Sequence, residues 1–335
     1  MKLLRYIFFP IVPIYYCITW VRNLLFDLGI LTSTSYDFPV ICVGNLSVGG
    51  TGKTPMIEYL IRLLKDDYKV ATLSRGYKRK SEGFQIGKPG ITADVLGDEP
   101  FQFYSKYADK VAVAVDANRR EGIVKLKQLL PKIDVVLLDD AYQHRKVKAG
   151  FNILLTTYSN IYTSDIVLPT GNLREPKKGA NRADIIIVTK CPVLLSDSEK
   201  KKITEAINPK THQHVFFSAI KYADYIISNT KKLLLADAPK FTLVTGIANP
   251  VPLVDFLSEK GLDFEHLNFK DHHDFTPEEL DVFKQKSFII TTEKDFMRLN
   301  RYPFLEDKLF YLSIEAVIDN PSSFNHTVKT FISRF

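Results

Sequence analysis

The chain has 335 residues, 45% apolar and 25% charged, which suits about two globular domains and excludes a repeat array or a low-complexity chain. Cys17, Cys42 and Cys191 are far apart and form no CxxC pair, so neither a disulfide framework nor a zinc site is indicated, and a reducing compartment fits. The net charge of +7 favours acidic partners (anionic lipid, nucleotide or nucleic acid) without choosing among them.

From Tyr6 to Val21 the chain is almost wholly apolar and aromatic, with Lys2 and Arg5 before it and Arg22 after it. The stretch falls short of the roughly 20 residues that span a bilayer, and Pro10 and Pro13 interrupt it. Trp20-Val21-Arg22-Asn23 offers no small-residue cleavage site. Two readings stand: a membrane-associating helix within residues 1–30, lying in the interface with Tyr15, Tyr16 and Trp20 at headgroup level, or a buried core helix of the next domain. The first is the expectation carried forward.

An apolar run, Phe38 to Val43, leads into Ser47-Val-Gly-Gly-Thr-Gly-Lys-Thr54, and a helical pattern follows from Pro55 to Lys65. Strand, glycine turn and helix start make a phosphate cradle. Gly49, Gly50, Thr51 and Gly52 supply backbone N–H groups, Lys53 reaches the terminal phosphates and the Thr54 hydroxyl is placed for Mg²⁺. The first position of this P-loop pattern holds Ser47 instead of glycine.

Further strands are expected at residues 69–73, 111–115, 135–138, 151–156 and 184–188, with helices between, so residues 31–213 read as a P-loop NTPase-type α/β domain: a parallel sheet with flanking helices. The strand at 135–138 ends in Asp139-Asp140, a Walker B pattern whose carboxylates would hold Mg²⁺; Gln143 and His144 follow within reach of phosphates. Gly97-Asp98-Glu99-Pro100 offers either a proton acceptor or a helix cap. Leu168 to Pro176 displays Arg174 and Glu175, as a phosphate clamp or as a surface ion pair. Residues 214–240 read as a short β hinge, and 241–335 as a smaller α/β lobe carrying Asp271-His272-His273-Asp274 and Thr292-Glu293-Lys294-Asp295. Two lobes about a hinge imply a cleft that closes on substrate.

Taken in order, the P-loop segment from Val43 to Pro55, Ser74-Arg75-Gly76-Tyr77, Gly97 to Pro100, Asp139-Asp140 with Gln143-His144, Leu168 to Pro176, Asp271-His272-His273 and Thr292 to Asp295 resemble the tetraacyldisaccharide 4'-kinases of lipid A synthesis. The resemblance implies transfer of the ATP γ-phosphate to the 4'-hydroxyl of a tetraacylated glucosamine disaccharide 1-phosphate at the cytoplasmic face of the bacterial inner membrane. It implies catalytic roles for Asp98, His272 and Lys53, with Asp98 as general base and His272 preferred to His273 as its support. It also implies nucleotide contacts from Gln143, His144 and Arg174, and metal ligation by Thr54, Asp139, Asp140 and Glu175. Arg75 and Arg119 become contacts to phosphate or lipid. Ala141 departs from the family's usual glycine and puts the placement of Gln143 in question.

The expected partners are ATP, Mg²⁺, the lipid substrate and an anionic membrane surface, with no nucleic acid, since no basic stripe with interleaved aromatics is evident. The rival reading is a membrane-recruited nucleotide switch acting through a protein partner. Thr189-Lys190-Cys191-Pro192 does not complete a guanine-reading [NT]KxD motif, and Val48 stands where partner-activating ATPases carry lysine.

Overall fold

The computed structural model describes residues 6–335; Lys2 and Arg5 lie outside them. Strands β1 (Val40–Asn45), β2 (Val70–Ser74), β4 (Val111–Val115), β5 (Val135–Asp139), β6 (Phe151–Thr157) and β7 (Ile185–Thr189) run parallel, and the short β3 (Gln85–Ile86) pairs antiparallel with the edge strand β4. The order across this half is β7-β6-β1-β5-β2-β4-β3. Runs such as Ile185-Ile-Ile-Val-Thr are buried on both faces because helices cover both. On one face α2 (Lys53–Leu64) and α4 (Asp98–Tyr107) bring Ile57, Leu60 and Phe103 to the core, with the one-turn α3 (Ala93–Leu96) ahead of α4. On the other, α5 (Arg119–Leu129) and α6 (Asp197–Ile207) bring Ile123, Leu126 and Ile207.

The expected hinge is a longer structure. A 14-residue strand, β8 (His214–Ile227), pairs with β7 through its first residues and then with β13 (Leu309–Ile318), antiparallel, through the rest. The other strand within the expected hinge segment, β9 (Lys232–Leu234), only covers the far end of β8. The ribbon of β8 and β13 carries the sheet into a second parallel set, β10 (Phe241–Thr245), β11 (Phe264–Asn268) and β12 (Ile289–Thr292), flanked by α7 (Val251–Glu259), α8 (Pro277–Gln285) and α9 (Glu293–Leu299). Residues 321–332, expected with the second lobe, form α10 (Pro321–Ile332) and return to the first: Phe324, Val328 and Phe331 join the core with Phe151 and Phe216.

The N-terminal segment is one continuous helical stretch, a 3₁₀ turn (Tyr6–Ile11) followed by α1 (Val12–Asp27). Pro13 stands in the first turn of α1, where no hydrogen bond is lost, so it starts the helix and does not break it. Its amphipathicity is inverted. Ile14 and Ile18 are 60% and 63% exposed, and Ile7, Phe8 and Phe9 also face outward. The docked side is polar: the Tyr15 hydroxyl donates to the Arg174 carbonyl at 2.9 Å and Asn23 Nδ2 to Glu175 Oε2 at 2.6 Å. A buried core helix is therefore the reading that fails here.

Candidate active site

Parallel pairing places the chemistry at one sheet edge. Val43 on β1 pairs with Asp139 on β5, so the glycine turn leaving β1 and the acids ending β5 are neighbours. Gly49 and Gly52 adopt φ of 106° and 84°, which only glycine takes without strain, and Gly52 turns the chain into α2. The loop is braced from behind: Asn45 Nδ2 donates to Thr51 Oγ1 and Thr189 Oγ1 to the Thr51 carbonyl, both at 2.8 Å. Thr51 thus turns its hydroxyl away from the cleft. The segment 168–176 reaches the site because its backbone pairs with the P-loop entry, Val48 N to Asn172 O and Arg174 N to Leu46 O.

Lys53 Nζ lies 3.7 Å from Asp140 Oδ2 and Arg174 Nη1 lies 2.9 Å from Asp140 Oδ1. Burial pushes the Asp140 carboxyl up, but these two cations outweigh it and hold it below the ordinary value. Asp139 is buried, and that burial, reinforced by the Glu99 and Asp140 charges, holds it well above the usual carboxylate range. Its Oδ2 accepts from Ser74 Oγ at 3.3 Å; its Oδ1 has no partner among the described residues. A buried, underused carboxylate beside a hydroxyl and a second acid fits a hard divalent cation.

Across the cleft stands the second lobe. Asp98 makes no helix cap; its Oδ2 takes Arg298 Nε at 2.8 Å and His272 Nδ1 at 3.3 Å. Lys294 Nζ meets His272 Nε2 at 2.9 Å, and because an ammonium only donates, Nε2 accepts. Nδ1 faces both Asp98 Oδ2 at 3.3 Å and Arg298 Nη2 at 3.4 Å, and with the proton on Nδ1 it donates to the carboxylate while the longer Arg298 approach is no hydrogen bond. Burial raises the Asp98 carboxyl, but the His272 hydrogen bond and the Arg298 charge together hold it low. His273 goes elsewhere, to Glu279 at 2.8 Å. The cleft between these groups encloses about 1250 Å³ and is walled by the P-loop, the paired acids, Asp98 and His272.

A family model described as tetraacyldisaccharide-1-P 4'-kinase matches residues 4–333. The chain belongs to this family. The tetraacyldisaccharide 4'-kinases of Flavobacterium johnsoniae and Bacteroides thetaiotaomicron are 51% and 42% identical, covering 99% and 97% of this chain and 98% and 92% of the relatives. A crystal structure of the "apo" form of LpxK from Aquifex aeolicus in complex with ATP superposes with a TM-score of 0.79 at 30% identity, over 98% of this chain and 99% of that one.

In this member of the kinase family, Glu175 differs from its expected place. Its side chain is buried off the cleft wall, with Oε1 taken by Arg182 at 2.8 Å and Gln143 Nε2 at 3.0 Å, and Oε2 by Asn23. It orients Gln143, which also donates to the Asn45 carbonyl at 2.8 Å, so Ala141 does not displace Gln143. His144 lines the cleft with Arg75 and Arg119. Burial, then the neighbouring cations, push its imidazole down to about 4, so it stands neutral. His144 Nε2 and Arg119 Nε are buried without partners among the described residues, as an anion or hydroxyl site requires. Arg298, Lys294 and Lys190 were missed as site residues. Arg298 lies three positions beyond Thr292-Glu293-Lys294-Asp295, outside every motif the sequence displays, so only the fold reveals it. Lys190 closes β7, with Nζ 3.8 Å from where a Cβ on Gly50 would lie.

Proposed function

We propose that the protein transfers the γ-phosphoryl group of ATP to the 4'-hydroxyl of a tetraacylated glucosamine disaccharide 1-phosphate, the kinase step of lipid A synthesis. One observation carries it: a phosphate cradle with paired acids shares a single cleft with a hydrogen-bonded Asp–His pair that joins Asp98 of the first lobe to His272 of the second. The P-loop N–H groups, Lys53 and Arg174 hold the nucleotide phosphates, and Gln143 lies beside them. Thr54, Asp139 and Asp140 would hold Mg²⁺, which supplies counter-charge to the phosphates during transfer.

The hydrogen bonds favour His272 as the proton acceptor. Asp98, held low by two donors, is the weaker base and fixes the imidazole tautomer, while the substrate hydroxyl would replace Lys294 at Nε2. Arg75, Arg119 and His144 make a basic pocket for the lipid's 1-phosphate or sugar hydroxyls. Closure of the second lobe on the first would exclude water and limit idle ATP hydrolysis.

Among the described residues one helix, Ile7–Asp27, is long and apolar enough to cross a membrane by length and composition. Its docked polar side supports an interfacial anchor, with the apolar side in the lipid of an anionic inner-membrane surface and the cleft at the cytoplasmic face. This arrangement suits an acceptor whose acyl chains stay in the bilayer. The switch reading finds no support in a family whose members are named for phosphoryl transfer, and the proposal includes no nucleic-acid partner.

Mass spectrometry of a detergent-solubilised tetraacyl disaccharide 1-phosphate incubated with protein and Mg-ATP tests the reading. The expected result is a gain of one phosphoryl group that Lys53→Ala fails to give. ATP hydrolysis without lipid phosphorylation would overturn it.

A further inference from the structure

Three helices converge on one ammonium group beside the cleft. Lys106 Nζ donates to Glu58 Oε2 at 2.6 Å and to Glu293 Oε1 at 2.8 Å, and Gln102 Nε2 donates to the other Glu58 oxygen at 2.8 Å. The two carboxylate side chains are 1% and 5% exposed. Glu58 rides on α2, one turn after Thr54. Gln102 and Lys106 ride on α4, one and two turns after Asp98. Glu293 opens α9 in the second lobe, ahead of Lys294 and Arg298, the cations that contact His272 and Asp98.

We propose that Lys106 is a positioning residue for phosphoryl transfer: bridging Glu58 and Glu293, its ammonium sets the spacing between the phosphate-binding helix and the lobe that carries His272. The inference rests on the kinase reading above. The physical reason is charge balance. Two buried carboxylates share this cation, and with Lys106 gone they repel in a poorly solvated space unless one takes a proton. Such repulsion acts along the line between the lobes, so it changes the distance between His272 and the phosphates before it unfolds either lobe.

The remaining charged and titratable groups around the bridge are few. On α2, Arg62 lies 3.7 Å from Glu58 and 3.8 Å from Glu315 of β13. Tyr107 on α4 and Tyr311 on β13 face the same space, and the backbone at Ile314 hydrogen-bonds to Glu293. Burial first, then the Glu58 charge, push the Glu293 carboxyl well above the usual range. Glu293 is therefore the member that takes the proton when Lys106 is lost.

Lys106→Met keeps the apolar stem and removes the charge. Lipid phosphorylation is expected to fall about tenfold or more in kcat at about pH 8, while Mg-ATP affinity by calorimetry changes less than about threefold. The deficit should shrink at about pH 6, where the two acids share a proton, and adding Glu293→Gln to Lys106→Met should recover most of the loss at about pH 8. A deficit that ignores pH and is not relieved by Glu293→Gln would mark a merely structural ion pair and overturn the proposal. So would a Lys106→Met kcat equal to wild type. If Lys106→Met does not fold, Glu293→Gln alone decides: a lowered kcat with unchanged Mg-ATP affinity supports the bridge, and an unchanged kcat refutes it. Wild-type protein that binds Mg-ATP but phosphorylates no lipid would instead refute the kinase reading itself.

Discussion

Two acids that line the cleft, Asp98 and Asp139, are tuned in opposite directions by what touches them. Asp98 is held low by His272 and Arg298, so its stabilising ion pair is complete above about pH 4 and is lost as the pH falls through its depressed native value. Asp98 therefore stays ionised near neutral pH, and in the proposed mechanism His272 Nε2 is the atom that takes the substrate proton. Asp98→Asn is expected to lower kcat about 10² to 10⁴-fold by releasing the tautomer, and His272→Asn by at least as much. Steady-state kinetics checks both, and near-normal turnover of folded His272→Asn would return the proton to Asp98. Asp139 shows the opposite tuning. Its raised native carboxyl binds a proton more tightly than the unfolded chain does, so cation-free stability falls as pH rises from the usual carboxylate range toward neutrality. Mg²⁺ held by Asp139, as proposed, would have to displace that proton. The Mg²⁺-dependent rise in Tm should be larger at about pH 8 than at about pH 6 and should vanish in Asp139→Asn. An equal rise at both pH values would exclude Asp139 as a ligand.

Among elements, α1 departs most from the usual rule. A helix that buries polar groups and exposes isoleucine and phenylalanine is costly in water, and a lipid interface removes that cost. Replacing Ile14 and Ile18 by Glu should abolish binding to anionic vesicles in a sedimentation assay. Stability in detergent-free buffer should move by no more than about 0.5 kcal/mol per site, since both side chains are exposed. Retained vesicle binding would refute the anchor. Asn23→Ala acts on the other side of α1: it removes a donor from buried Glu175, which orients Gln143, so a change on α1 reaches the P-loop side of the cleft.

At the scale of the whole molecule, the ribbon of β8 and β13 joins two parallel sets of strands, and α10 is built from residues that follow the second set yet pack on the first. The chain therefore crosses between the lobes twice, which allows them to rock while keeping their register. Small-angle scattering should show a smaller radius of gyration with a non-hydrolysable Mg-ATP analogue than without, and identical profiles would argue against closure.

Some of this was legible residue by residue. The P-loop, the acids ending β5 and the alternation of buried strands with helices are contiguous in sequence, and local backbone geometry forces their form: glycine where φ is positive, β-branched runs where both faces are covered. The inverted α1, the second strand of the hinge ribbon and the return of α10 were not legible, because each depends on what lies opposite. The same holds for the site. Asp98 is 174 residues from His272 and 200 from Arg298, and nothing local to Gly97-Asp98-Glu99-Pro100 says that its carboxylate meets them and not its own helix. Sequence alone therefore determined the glycine turn of the P-loop, the paired acids that end β5 and the α/β rhythm, since these are written at short range. Only the tertiary structure decided which histidine joins Asp98, that Glu175 supports Gln143 from behind, and that Lys106 stands between two buried acids. Partner, distance and burial set what a charged side chain can do, and all three arise when distant segments pack.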